Sequence, residues 1–333
     1  MASRTASNSL VLALIAGLLA LAGGGAAGAK AFGACLVESA PGFGNEALAA
    51  SAASGLQKLA GSGVTVTVET PATPADYAPA LSACARAHAD LTIAVGTSLV
   101  APLDAAAVAS PGSRFAILGA SSAMLPHRPP NAVGLVFRDG QAGYLAGYAA
   151  GLWARARKGK AVGSIGGIET PPLDRLLAGY AFGATRADPD VDTLNTFTDS
   201  VTDPAQCRAK AVSQISHGAA ALFQAAGECG AGAAAAARAN RVADVTLGDT
   251  DAAGTWLIVT VAERADLVVA DAVRRARSGD LPGGRDLGFG ARGGWLAYGA
   301  WGPRVPRSLK VAADAELRRL AEGRVPAIPT HRG

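Results

Sequence analysis

The residues best equipped for chemistry in this chain are few and scattered. The four histidines, His88, His127, His217 and His331, lie far apart, and none pairs with a serine or cysteine in a recognisable nucleophile arrangement. The sequence carries no G-x-S-x-G elbow, no G-x-x-x-x-G-K phosphate loop and no H-E-x-x-H zinc signature. Each histidine reads as a surface or helix-end residue. The carboxylates of Asp249 and Asp251 fall at the end of an expected strand, where they could work as acid and base or accept hydrogen bonds from a hydroxylated ligand, but no acid–base partner is identifiable. The loop from Phe223 to Gly232 (FQAAGECGAG) runs from an expected strand into an expected helix. Its glycines, Gly227 among them, would let backbone approach a ligand closely, and the helix start would offer free amides. Phe223 could stack on a flat ring or simply belong to the core. The four cysteines, Cys35, Cys84, Cys207 and Cys229, have no C-x-x-C spacing, so a metal site is not expected. A Cys207–Cys229 disulfide is the preferred pairing, since the two flank neighbouring elements; four buried thiols are the alternative.

The elements that must position these groups alternate. After a positive start at Arg4, an apolar run from Leu10 to Leu21 and small residues ending in Ala27-Gly28-Ala29 have the layout of a secretory signal peptide, with cleavage before Lys30. An uncleaved anchor helix is the alternative, and Cys35 is a weak match to a lipidation site. Export permits disulfides. Strand patterns over 31–37, 64–69, 91–95, 114–118, 133–137, 161–165, 191–197, 220–224, 242–247 and 257–261 are separated by helix patterns. Asp203-Pro204 opens one of these helices as cap and first residue, and a glycine-rich tail ends in a helix over 313–322. Such β–α alternation predicts parallel sheets covered by helices, in two successive lobes. Ligands in such folds bind where strands end and between lobes. With 333 residues, half of them hydrophobic and 17% charged, the chain is neither disordered nor polytopic. Its net charge is +4, and the densest basic cluster (Arg155, Arg157, Lys158, Lys160) lacks any aromatic platform, so no nucleic-acid partner is expected. An exported two-lobed chain without catalytic constellations reads as a binder and not an enzyme, with no cofactor.

Several segments carry a family resemblance. Asn131-Ala132-Val133-Gly134-Leu135-Val136-Phe137-Arg138 followed by Gly143-Tyr144-Leu145-Ala146-Gly147-Tyr148, the turn from Val162 to Pro172, the glycine loop from Ala225 to Gly230, and Leu247-Gly248-Asp249-Thr250-Asp251 resemble the basic membrane protein family. These are the nucleoside-receptor-like solute-binding proteins of bacterial ABC transporters. The resemblance spans roughly residues 30 to 300 and implies an α/β type I periplasmic-binding-protein fold: two doubly wound parallel-sheet lobes with a hinged cleft. It implies lobe 1 at 30–135 plus about 258–284 and lobe 2 at 136–257 plus about 285–333, after a signal peptide at 1–29.

The ligand set it implies is Glu38, Ser39, Phe43, Thr97, Ser98, Phe137, Phe223, Gly227, Glu228, Asp249 and Asp251. The chain departs from the family where a base would be read. Glu38 and Ser39 stand where an aspartate is usual, Leu48-Ala49 replaces Phe-Asn, Gly119 replaces an aspartate, and Glu263 replaces a sugar-contacting lysine, with Arg264 adjacent. The expected function is delivery of a small polar ligand, such as a nucleoside, to an ABC permease. The protein is expected to act as a monomer, exported to the periplasm or cell surface, touching membrane only through an uncleaved signal or anchor. The alternative is a ligand-sensing regulatory protein with no transport role. An enzyme cleaving a glycosidic bond with Asp249 or Asp251 ranks below both.

Overall fold

Two six-stranded sheets organise the chain in the computed structural model, which describes residues 30–42, 45–248 and 255–331. The expected signal peptide at 1–29 lies outside the described residues, as do Phe43, Asp249 and Asp251.

The first lobe opens with β1 (Phe32–Val37), α1 (Glu46–Gln57), β2 (Val64–Glu69), α2 (Tyr77–Arg86), β3 (Leu91–Val95), α3 (Val100–Ala109), β4 (Arg114–Leu118) and β5 (Ala132–Phe137). The second continues with α4 (Asp139–Arg157), β6 (Ala161–Gly166), α5 (Pro171–Ala187), β7 (Asp192–Phe197), α6 (Pro204–Ser216), β8 (Ala219–Ala225), α7 (Gly230–Ala239), β9 (Ala243–Leu247) and β10 (Leu257–Glu263). The chain then crosses back for α8 (Ala265–Ser278) and β11 (Asp286–Phe289), and crosses again for β12 (Leu296–Trp301) and α9 (Arg307–Ala321). Strand order is β11-β5-β4-β3-β1-β2 in one sheet and β12-β10-β9-β8-β6-β7 in the other. Every pairing is parallel except β10 with β12.

The strand sequences explain their places. Leu91–Val95 is buried throughout, as an inner strand of a sheet covered on both faces must be. Val64–Glu69 alternates valine with threonine and sits at the sheet edge with only its first residue fully buried. Asp203 caps α6 by accepting a hydrogen bond from the Ala205 amide at 2.9 Å, with Pro204 as the first helical residue. The basic cluster closes α4: Arg155 and Arg157 lie in its last turn, Lys158 is its left-handed cap, and the Arg157 guanidinium lies 3.1 Å over the Trp153 ring centroid.

The tightest packing joins α4 to α5. Gly143, Gly147 and Gly151 recur every four residues and so share one face of α4. A Cβ on Gly143 would collide with the Leu176 carbonyl oxygen, and one on Gly147 with the carbonyl oxygen of Tyr180. Gly183 of α5 is pressed in return against the Tyr144 carbonyl. Nearby, the buried Glu316 of α9 accepts a hydrogen bond from the Tyr144 hydroxyl and lies 3.5 Å from Arg186 and 3.3 Å from Arg319, tying α9 to both helices.

Two disulfides reinforce the lobes. Cys35–Cys84 joins β1 to α2, and Cys207–Cys229 joins α6 to the turn before α7, with Cα separations of 5.6 and 5.5 Å. Both pairs exist here, so the four-thiol alternative does not hold.

The lobe boundaries differ from the sequence expectation. Residues 257–263 belong to the second sheet, through parallel pairing with β9, and only the helix after them packs on the first lobe, where Gly55 of α1 lies against the Asp266 backbone. Residues 286–289 pair with β5 in the first sheet. An apolar strand buried on both faces suits either sheet equally, so composition could not assign it. β11 and β12 were not foreseen as strands, because their glycines and short length hide the pattern. The last helix begins at Arg307, two turns before the expected start, where charges at Arg307 and Lys310 mask the apolar spacing of Leu309, Ala313 and Leu320.

Candidate functional site

The carboxyl ends of strands from both lobes converge on one cavity of about 1180 Å³. Thr97 follows β3, the turn from Gly119 to Ser121 follows β4, Phe137 ends β5 and Glu263 ends β10. The first turns of α1, α4 and α5 complete the wall with Asn45, Leu48, Asp139, Gln141, Thr170, Pro171 and Arg175. The segment 325–330, beyond α9, runs along the remaining side, with Ile328 beside Gly140 and His331 Nδ1 at 3.2 Å from Asp174 Oδ2. The protein's own tail therefore walls the seam between the lobes without filling it. The lobes also approach at the rim, where a Cβ on Gly42 would lie 3.3 Å from Glu228 Oε1.

The cavity's surface is mixed. Leu48, Met124, Val136, Phe137 and the prolines of α5 and the tail supply apolar wall. Leu48 Cδ2 lies 3.3 Å from where a Gly119 Cβ would stand, so two positions at which the family resemblance expects polar or aromatic groups form one apolar corner. Asp139 Oδ2 accepts a hydrogen bond from Arg175 at 3.0 Å, yet burial raises its carboxyl above the usual range and outweighs that guanidinium. Glu263 is pushed up to about 7, first by burial and then by the like charge of Asp139. Asp286 braces the loop after β4: its Oδ1 accepts from the Ser122 amide at 2.6 Å and hydroxyl at 2.7 Å, and its Oδ2 from the Ser121 hydroxyl at 2.6 Å. Asp286→Ala strands the nearly buried Ser122 amide and is expected to cost about 1–3 kcal/mol. An unchanged urea midpoint would remove Asp286 from this role.

Of the residues expected from sequence, Thr97 and Phe137 line the cavity. Ser98 instead meets the Tyr77 hydroxyl at 3.0 Å, and that hydroxyl accepts from the Ala40 amide, so Ser98 braces the turn after β1. Glu38 accepts from the Thr70 hydroxyl at 3.0 Å, Ser39 is buried, and neither lines the cavity, because the turn after β1 is drawn toward the end of β2. Phe223 corrects the ring-stacking expectation: it is fully buried on the sheet, stacked on Tyr180 with centroids 5.2 Å apart. The glycine loop is also used for packing, since a Cβ on Gly232 would collide with the Pro204 carbonyl. Gly227 and Glu228 are exposed and do not line the cavity. Arg264 forks onto Asp266 and faces a separate groove between α1 and β12.

The sequence reading missed Asp139, Arg175 and the tail. Asp139 opens α4 directly after β5, a position that marks ligand sites in such folds, and Arg175 lies one turn into α5. The tail carries no signal beyond its prolines.

These two sheets, with three chain crossings and a cavity between them, define a two-lobed binding protein of the type I periplasmic class. The chain belongs to the ABC transporter substrate-binding protein, PnrA-like family, whose pattern matches residues 42–320. It is 27% identical over 238 residues to the CD4+ T-cell-stimulating antigen of Listeria monocytogenes, covering 66% of this chain and 64% of that protein, which is less than two thirds of the relative's own length. It is 26% identical over 243 residues to the ABC transporter nucleoside-binding protein BmpA of Lactococcus lactis, covering 67% of each. Among solved structures, an ABC transporter solute-binding protein from Conexibacter woesei superposes with a TM-score of 0.72 at 25% identity, covering 91% of this chain and 100% of that one.

Proposed function

We propose that this chain is the extracytoplasmic solute-binding component of an ABC importer, closing its lobes around a small polyhydroxylated molecule such as a nucleoside and presenting it to a permease. The observation that carries this reading is the inter-lobe cavity of about 1180 Å³, walled by strand ends and helix starts of both lobes. A ligand that touches both walls favours the closed state, because only differential contact energy shifts such an equilibrium. Asn45, Thr97 and Gln141 offer hydrogen-bonding groups for hydroxyls, and Leu48 and Phe137 offer apolar surface for a ring. The similarity to the nucleoside-binding protein of Lactococcus lactis supports the nucleoside class. The signal-peptide layout at residues 1–29 supports export.

A thermal-shift screen against nucleosides, nucleobases, pentoses, hexoses and amino acids tests it. A ligand at about a hundred times its Kd adds about 2.7 kcal/mol, which for a chain of this size raises Tm by roughly 4 °C. No shift with any nucleoside or sugar at millimolar concentration would overturn the ligand assignment.

A further inference from the structure

We infer that the inter-lobe cavity selects a ligand bearing a protonated nitrogen, with the Glu263 carboxylate as its counter-charge; the inference rests on the solute-binding reading of the same cavity.

Glu263 ends β10 on the cavity wall and has no hydrogen-bond or ion-pair partner among the described residues. The other buried or half-buried charges there are already engaged. Arg175 holds Asp139, and Asp286 is saturated by Ser121 and Ser122. Arg138 lines the cavity but is exposed. Arg264, next in sequence, is spent on Asp266 and faces the other groove. The tail contributes Val325, Pro326, Ala327, Ile328, Pro329 and Thr330, none of them charged. The neighbour whose charge acts on Glu263 is Asp139, which has the same sign. The cavity thus holds an unpaired carboxylate whose acting neighbour charge has the same sign.

An isolated ion in such a setting is costly unless paired and hydrogen-bonded. Its raised pKa, about 7, reports that cost. A ligand ammonium removes it by supplying both a hydrogen bond and an opposite charge. A neutral hydroxyl supplies only the hydrogen bond. The chemistry that fits is a compact polyhydroxylated molecule with an amine, an aminated nucleoside or amino sugar, its ring against Leu48 and Phe137.

Calorimetry at pH 8 on matched pairs decides the matter: adenosine against 5′-amino-5′-deoxyadenosine, and glucose against 6-amino-6-deoxyglucose. Wild type is expected to prefer the amine in at least one pair by about tenfold. That preference is expected to fall below about threefold in Glu263→Gln, which keeps the shape and removes the charge, and to invert in Glu263→Lys. Equal affinity within each pair for wild type, or a preference that survives in Glu263→Gln, overturns the inference while the solute-binding reading stands. Wild type binding neither member of either pair overturns the inference and leaves the ligand class to the thermal-shift screen. The wild-type comparison decides the case even if a variant fails to fold.

Discussion

Gly147→Leu is expected to lower Tm by about 4 °C and to expose the α4–α5 interface. The reason is geometric. A Cβ at this position would collide with the Tyr180 backbone carbonyl, which cannot rotate aside as a side-chain tip could. Overpacking in cores costs about 1–3 kcal/mol, and occasionally more. Here it must push two helices apart along a seam shared with Gly143, Gly151 and Gly183. Separation would also pull Tyr144 from Glu316 and loosen α9. Gly112→Leu is the control, because a Cβ there meets nothing within 4 Å. Equal melting points for the two variants would show that the seam does not set the helix spacing.

Removing the Cys35–Cys84 disulfide as Cys35→Ala/Cys84→Ala is expected to cost about 4 kcal/mol, from the chain entropy returned to the unfolded state by opening a 49-residue separation. Removing Cys207–Cys229, with a separation of 22, is expected to cost somewhat less, about 3 kcal/mol. All four sulfurs are buried, so reduction in the native state should be slow and the difference should appear in urea unfolding. Losses below about 1 kcal/mol for both would contradict the assignment of these bridges as the lobes' covalent reinforcement.

Much of the first lobe was legible because its inner strands are short, apolar and bounded by turns, as Leu91–Val95 and Arg114–Leu118 illustrate. The antiparallel β12 and the short β11 were not, since glycines interrupt them and their identity as strands comes from pairing with β10 and β5. The site was only partly legible. Phe137 and Thr97 follow from the rule that strand ends face the cleft. Phe223 obeys a stronger demand: it lies on an inner strand covered by α4, where it stacks on Tyr180 of α5, and a large ring there belongs to packing. Asp139 and Arg175 gain their meaning only when α4 and α5 are brought side by side by glycines whose spacing was visible but whose purpose was not.

The path of the backbone between the sheets has a consequence for dissection. Because the chain passes from one half to the other after β5, after β10 and between β11 and β12, neither half is encoded by an uninterrupted stretch. A truncated gene ending at Phe137 would leave the first sheet without its outermost strand and without α8, and a fragment starting at Arg138 would carry both as orphans. A nick after β5 would leave two pieces with no covalent link, because both disulfides lie within a lobe; only the returning segment, β11 paired with β5 and α8 packed on α1, would hold them together.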